Sequence, residues 1–362
     1  FFLIFCIPGF PDGDISRAVV QEKPSKQEKD VKNAFLRYIY VYLEERITPA
    51  TIIVNSLADN TTADAFTTLR EAITTANASA DADTTEFASS LFTGGAGTIT
   101  LGSSLPAIVT ATTAGTLTIT GPGSSSLTIS GSDPTNLNNS TRNFNIFNIA
   151  SGGNLSISGV TVSGAKTSGN GGAFNNSGIL SVSNSTLSGN TAIFGGGVYN
   201  AGSGILNFSN STVSGNSAGQ GGAIANSGGT VIVTNSTVSG NSANQGGGIA
   251  NTGTLNIANT IIANSTSGGD YLSSGGTIGT NTNNLVEDGS ISGAIALDPL
   301  LGPLQNNGGP TFTMALGAGS PAIETAAGTG TDQRGINRIT NDIGAYSFGI
   351  AVTNTTDNLT SP

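Results

Sequence analysis

From residue 155 onward, apolar and polar residues alternate in short bursts, and the bursts return at a nearly constant spacing. Aligned on their first apolar residue, LSISGVTVSGAKTSGNGGAFNNSGI (155–179), LSVSNSTLSGNTAIFGGGVYNAGSGI (180–205), LNFSNSTVSGNSAGQGGAIANSGGT (206–230), VIVTNSTVSGNSANQGGGIANTGT (231–254) and LNIANTIIANSTSGG (from 255) are five versions of one unit, with starts 25, 26, 25 and 24 residues apart. Alternation with period two marks strands that bury one face. A repeat of this length marks a solenoid whose coils bury that face only against their neighbours. The less regular stretches AGTITL, GTLTITG, SLTISG and FNIFNI carry the pattern back to about residue 96.

The spacing also predicts how one coil is built. Leu206 and Phe208 share one side of a strand, Ser209–Asn210 makes a turn, Val213 points inward on a second strand, and Ile224 does so on a third after the QGG corner. Three short strands per rung of about 25 residues predict an all-β, right-handed parallel β-helix in which equivalent residues stack roughly 4.8 Å apart. Val213 then aligns with Leu187 and Val238, and Ile224 with Val198 and Ile249, all of them apolar. The glycine pairs Gly171–Gly172, Gly196–Gly197, Gly221–Gly222 and Gly247–Gly248 precede the third strand, where a tight corner calls for positive φ and close approach. Asparagines form two columns, Asn190, Asn216 and Asn241 in one and Asn176, Asn200, Asn226 and Asn251 in the other. An amide is both donor and acceptor, so such a column can bond along the coil axis while capping turn backbone.

Ahead of the repeats, TIIVNS reads as a short strand and TTADAFTTLREAITTANAS as an amphipathic helix, with Leu69, Ala72, Ile73 and Ala76 on one face and Arg70 and Glu71 on the other. A helix here is placed to lie across the first rung and cover a sheet end that would otherwise recruit strands. The chain divides into a charged and aromatic segment (1–50), a capping strand and helix (51–95), the β-helix (96–300), a closing segment (301–348) and a tail (349–362). Residues 1–50 hold seven of the twelve basic residues and seven of the twenty-two acids, which sets the boundary near Pro49. Within them QEKPSKQEKDVKN reads as solvated linker, and VKNAFLRYIYVYLEERI as a helix or a strand pair. FFLIFCI is too short to span a bilayer and is either a signal-peptide remnant or a core or interface strand. This segment is expected to be dispensable for the fold.

Composition narrows the function. With 36% apolar and only 9% charged residues the chain buries a core rather than remaining disordered, and Ser, Thr and Asn solvate its surface. A net charge of −10 without a basic patch argues against nucleic acid or an anionic membrane as partner. No stretch is apolar for long enough to form a transmembrane helix, and Cys6, the single cysteine, has no internal partner for a disulfide.

Catalysis finds little to work with. Between residues 88 and 269 the charged side chains are Asp133, Arg142 and Lys166, and one carboxylate cannot form the pair that glycoside hydrolysis requires. Asp270, Glu287, Asp288 and Asp298 follow, without the spacing of a calcium loop, and there is no histidine for a transition metal. No catalytic, cofactor-binding or metal-ligating residue is therefore assigned, and no cofactor is expected. Asp332, Arg334, Arg338 and Asp342 form a dense charge cluster, in which an Arg334–Asp342 ion pair is expected to fasten the last turn over the end of the stack. Thr186, Thr212 and Thr237 recur at one rung position, a feature that suits ice or mineral binding if they form a flat open face.

TTLREAITTANA (67–78) resembles the bacterial domain named for its CSLREA-type motif, with Thr67 where that family usually has cysteine. The GGAIAN, GGGVYN and SGNSA repeats resemble polymorphic outer-membrane proteins and the wider pectin-lyase-like β-helix group. NNGGPTFTMALGAGSPAIETA (306–326) and TDQRGINRITNDIGAY (331–346) are similar to the choice-of-anchor Q domain of exported bacterial proteins. These matches span about residues 51–348, and the C-terminal one is the most specific. They imply a secreted, cell-surface or outer-membrane bacterial protein but no reaction. The expected function is adhesive or structural, with an extracellular carbohydrate, matrix or cell-surface ligand. A polysaccharide-active lyase or hydrolase is the alternative if the acids after residue 269 fold over a face, and ice or mineral binding is a third.

Overall fold

The computed structural model describes residues 50–79, 81–109, 115–123, 127–132, 142–309, 311–325, 330–338 and 342–348. The expectations for FFLIFCI, Cys6, the linker, VKNAFLRYIYVYLEERI, Asp133 and the tail after residue 348 fall outside these residues.

The repeat alignment is the register of a parallel β-helix. Sheet 1 stacks Asn154–Ser158, Ile179–Ser183, Ile205–Ser209, Thr230–Thr234 and Thr254–Ala258, with Leu155, Leu180, Leu206, Val231 and Leu255 in one column. Sheet 2 stacks Thr161–Ser163, Thr186–Ser188, Thr212–Ser214, Thr237–Ser239 and Ile261–Ala263, with Val162, Leu187, Val213, Val238 and Ile262 aligned. Sheet 3 stacks Phe147–Ile149, Phe174–Asn176, Val198–Ala201, Ile224–Ser227, Ile249–Asn251 and Tyr271–Ser273. The inward columns of all three sheets meet in one apolar core, and Phe147 and Phe174 stack there with centroids 5.0 Å apart. Because each rung buries its apolar face only against adjacent rungs, the period of the sequence becomes the period of the structure.

Left-handed residues make the corners. Asn184, Asn210, Asn235 and Asn259 sit between sheets 1 and 2 with φ of 44 to 50°, a region that asparagine tolerates better than other residues with a Cβ. At the corner before sheet 3 the positive-φ residues are Gly171, Gly195, Gly221 and Gly246. A Cβ on any of them would meet the carbonyl oxygen three residues ahead at 2.1 to 2.6 Å. Two glycine pairs read from the sequence are thus displaced by one residue: the equivalents begin at Gly195 and Gly246, not at Gly196 and Gly247. The second residue after each corner glycine is Ala173, Gly197, Ala223 or Gly248, so counting glycines back from the strand misplaces the corner wherever that position is also glycine.

The cap forms as the pattern predicts. Helix α1 (Leu69–Ala78) buries Leu69, Ala72, Ile73 and Ala76, and Thr68 and Glu71 close a capping box at its start. Leu69, Ile73 and Ala76 join the main core. Arg70 is ion-paired to Asp59 at 2.8 Å and donates to the carbonyls of Ser103 and Ser104. Sheet 1 already includes Thr51–Val54, the strand read from TIIVNS, and also Thr84–Phe87, which the sequence reading did not assign as a strand.

The closing segment departs from expectation in both place and pairing. Its hairpin, Leu301–Gln305 with Thr313–Leu316, and the turns after it lie along the side of sheet 2 rather than over the end of the stack. Gln333 is the clasp: its Nε2 donates to the Ser185 and Phe312 carbonyls and to Thr186 Oγ1, and its Oε1 accepts from Thr212 Oγ1 at 2.6 Å. The ion pair of Arg334 runs to Asp332 at 2.7 Å instead of to Asp342, because Asp332 sits on the same turn and also accepts the Arg334 backbone N–H. Arg334 lies over the Tyr346 ring, while Asp342 accepts from Glu324 N, Phe348 N and Ser347 Oγ. Among the described residues no helix is long and apolar enough to cross a membrane.

Candidate functional site

The outward positions of sheet 3 form a column of Asn148, Asn175, Tyr199, Ala225, Ala250 and Leu272. A second column, Asn170, Phe194, Gln220 and Gln245, runs beside it on the corner leading into the sheet. Its last two members belong to an extra parallel pair, Ser217–Gln220 with Ser242–Gln245. Ser227, Thr252 and Ser274 edge the other side. Two alanines between Tyr199 and Leu272 leave a hollow of about 120 Å³. Tyr199 and Leu272 are three rungs apart, so the groove runs roughly 14 Å along the axis.

Its walls are aromatic at one end and amide along the side. Phe194 and Tyr199 lie with ring centroids 6.3 Å apart and planes tilted by 43°, and Phe194 is 36% exposed. Gln220 Nε2 donates to Gln245 Oε1 at 2.7 Å, which orients these two exposed amides against each other. No charged side chain lines this groove. Sequence reasoning missed the site although its signal was present: alignment of GGGVYN, GGAIAN and GGGIAN places one tyrosine and then two alanines at the same outward position.

The groove rests on a scaffold that satisfies its own polar groups. Asn190 donates to Asn216 Oδ1 at 2.9 Å and Asn216 to Asn241 Oδ1 at 3.0 Å. In the other column Asn176, Asn200, Asn226 and Asn251 are linked at 2.7, 3.0 and 2.8 Å. Each amide also donates to a backbone carbonyl, so the asparagines of these two columns sit inside the coil with their polar groups bonded.

The late acids do come together, apart from one. Asp270, Glu287 and Asp288 line an open cavity of about 480 Å³ with Asn264, Ser265 and Gly269, whereas Asp298 caps its own turn at Leu300 N. Asp270 Oδ1 accepts from Ser265 N, as Asn241 Oδ1 accepts from Asn216 N one rung earlier. Asp270 Oδ2 accepts from Asp288 N, and Asp288 Oδ2 accepts from Asp270 N. Burial pushes the Asp270 carboxyl above its ordinary value. Burial acts on Asp288 in the same sense but is outweighed by bonds from Ser290 and from the Asp270 and Ser290 N–H groups, which hold it below the usual range. The two carboxylates thus close the last rungs through reciprocal bonds from each other's backbone N–H groups. Glu287 accepts from Asn264 N in the same cap. Among the described residues no group of three or more His, Cys, Asp or Glu side chains is arranged to hold a metal ion.

The remaining candidates are engaged in structure. Arg142 donates to the Leu101 and Gly131 carbonyls. Thr186, Thr212 and Thr237 lie at most 1% exposed beneath the closing segment, so they do not offer the open flat face that ice or mineral binding needs. No protein-family model matches the chain, and no curated protein matches it significantly.

Proposed function

We propose that this protein is an exported, non-catalytic β-helix protein with an adhesive or structural role at a bacterial surface, engaging an extended extracellular polymer such as matrix or carbohydrate. The three-rung groove on sheet 3 carries the reading, since there the exposed Phe194 ring, the half-buried Tyr199 ring and a bonded glutamine pair line one hollow. A rung ladder with internally satisfied amides supports it as well, because rigidity along the axis keeps repeated contacts in register with a long ligand. The resemblance of residues 306–326 and 331–346 to a domain of exported bacterial proteins favours the location. Cell fractionation with surface proteolysis, joined to sedimentation of the purified chain with extracellular matrix, tests both parts. Confinement to the cytoplasm, or no association with any matrix fraction, would overturn the proposal.

A polysaccharide-active enzyme is the second reading. The observation that favours it is the opposed perturbation of Asp270 and Asp288, a pattern shared by acid and base pairs in catalysis. Against it stands the use of both Asp270 oxygens as acceptors of backbone N–H groups. Release of new reducing or unsaturated ends from neutral or acidic polysaccharides, lost in Asp270→Asn, would favour the enzyme.

A further inference from the structure

We infer that the sheet 3 groove binds a neutral, hydroxyl-rich polysaccharide lying along the coil axis, with Phe194 and Tyr199 against a sugar ring and Gln220 and Gln245 bonded to its hydroxyls. The inference rests on the reading of the protein as a polymer binder and names the ligand and its site.

The chemistry of the walls selects the class. A pyranose ring has an apolar C–H face and an equatorial rim of hydroxyls, so it matches a surface that pairs aromatic rings with groups able both to donate and to accept. Phe194 and Tyr199 supply the first, the glutamine pair and the Ser227, Thr252 and Ser274 hydroxyls the second. Within the repeats Phe174 and Phe208 are core material, as Phe147 is just before them, whereas the Phe194 ring is held at the groove lip. Ala225 and Ala250 make room at the next two rungs, so the ligand can continue past the aromatics rather than ending on them.

Other polymers fit less well. An anionic polysaccharide or a nucleic acid needs cations, and none lines the groove. A peptide added as a strand needs an unpaired sheet edge. Here the groove crosses strands whose backbone groups are paired with the rungs above and below, as in Ile224 N to Gly248 O and Val198 N to Ala223 O.

The test uses the full chain in affinity electrophoresis and calorimetry. The probes are soluble neutral polysaccharides (a mixed-linkage β-glucan, a galactomannan, a xyloglucan) and acidic ones (polygalacturonate, alginate). Wild type should bind at least one neutral polymer, with an affinity that is the same at low and high salt. Tyr199→Ala should weaken binding about tenfold or more, and Tyr199→Phe should largely restore it. Ala250→Leu, which repeats the residue found one rung on at Leu272, should block the floor while leaving the thermal transition in place. Neutral binding that none of these changes touches would overturn the assigned site and leave the polymer-binding reading intact. Binding restricted to acidic polymers and abolished by salt would overturn the ligand class. Failure to bind any polymer of either class, by a folded protein, would overturn both.

Discussion

Replacing Asn216 and Asn241 together by aspartate tests the ladder on which the register rests. Both residues are buried, at 1% and 0% exposure, so solvent does not screen them as it would at an open turn. Asn216 Nδ2 lies 3.0 Å from Asn241 Oδ1, and the double substitution turns that hydrogen bond into two facing carboxylates. At an effective dielectric near 20 their repulsion would be about 5 kcal/mol. Taking up one proton is cheaper: raising an aspartate from a pKa of about 3.9 to above neutrality costs about 4 kcal/mol at pH 7. The pair therefore binds a proton, and the coupling is capped near 3–4 kcal/mol.

Each single variant also strands two backbone carbonyls, those of Leu187 and Ser214 for Asn216 and those of Val213 and Ser239 for Asn241, but these losses cancel in the cycle. The sign of the pH effect follows from the shift. A carboxyl whose folded pKa is raised contributes fully below about pH 4, and that contribution is lost as pH rises through the folded value. Urea unfolding of wild type, both singles and the double should thus show an excess loss of about 3–4 kcal/mol at pH 7 and little excess near pH 4. Additive losses at pH 7 and low salt would mean that the two side chains do not face each other, and the register would be wrong.

Three other substitutions probe the ends and the flank. Leu69→Asp places a carboxyl in the core beneath α1 and should destabilise the fold by about 3–5 kcal/mol and expose the sheet end; a variant that remains monomeric in gel filtration with an unchanged transition would contradict the cap. Gln333→Ala removes the clasp between the closing segment and sheet 2, for about 2–3 kcal/mol, and limited proteolysis should then cut within residues 301–348 before the repeats; an unchanged digestion pattern would count against the clasp. Asp270 has a raised pKa through burial, so its contribution is complete below its ordinary value of 3.8 and declines as pH climbs through the folded value. Asp270→Asn should remove that decline from the stability profile above the ordinary value of 3.8, and a profile of unchanged shape would refute the assignment.

The parallel β-helix was legible because its defining property is one-dimensional: a period near 25 residues, strand alternation, and apolar, glycine and asparagine positions that must match their neighbours one rung away. Leu206, Val213, Ile224, Asn216 and Asn226 each stack on the residues that alignment chose for them. The helix at Leu69–Ala78 was legible for a similar reason, since its apolar stripe and its start are local. What the repeat could not encode is which outward columns become neighbours. Whether Phe194 lies beside Tyr199 depends on how sharply the glycine corner folds, and whether a threonine column is open or covered depends on a segment more than a hundred residues away. The pairing of Arg334 and the gathering of Asp270 with Asp288 are of the same kind. Stacking along the axis is set by the period of the sequence, whereas contacts across a corner or between a rung and a distant strap are set by the three-dimensional path of the chain.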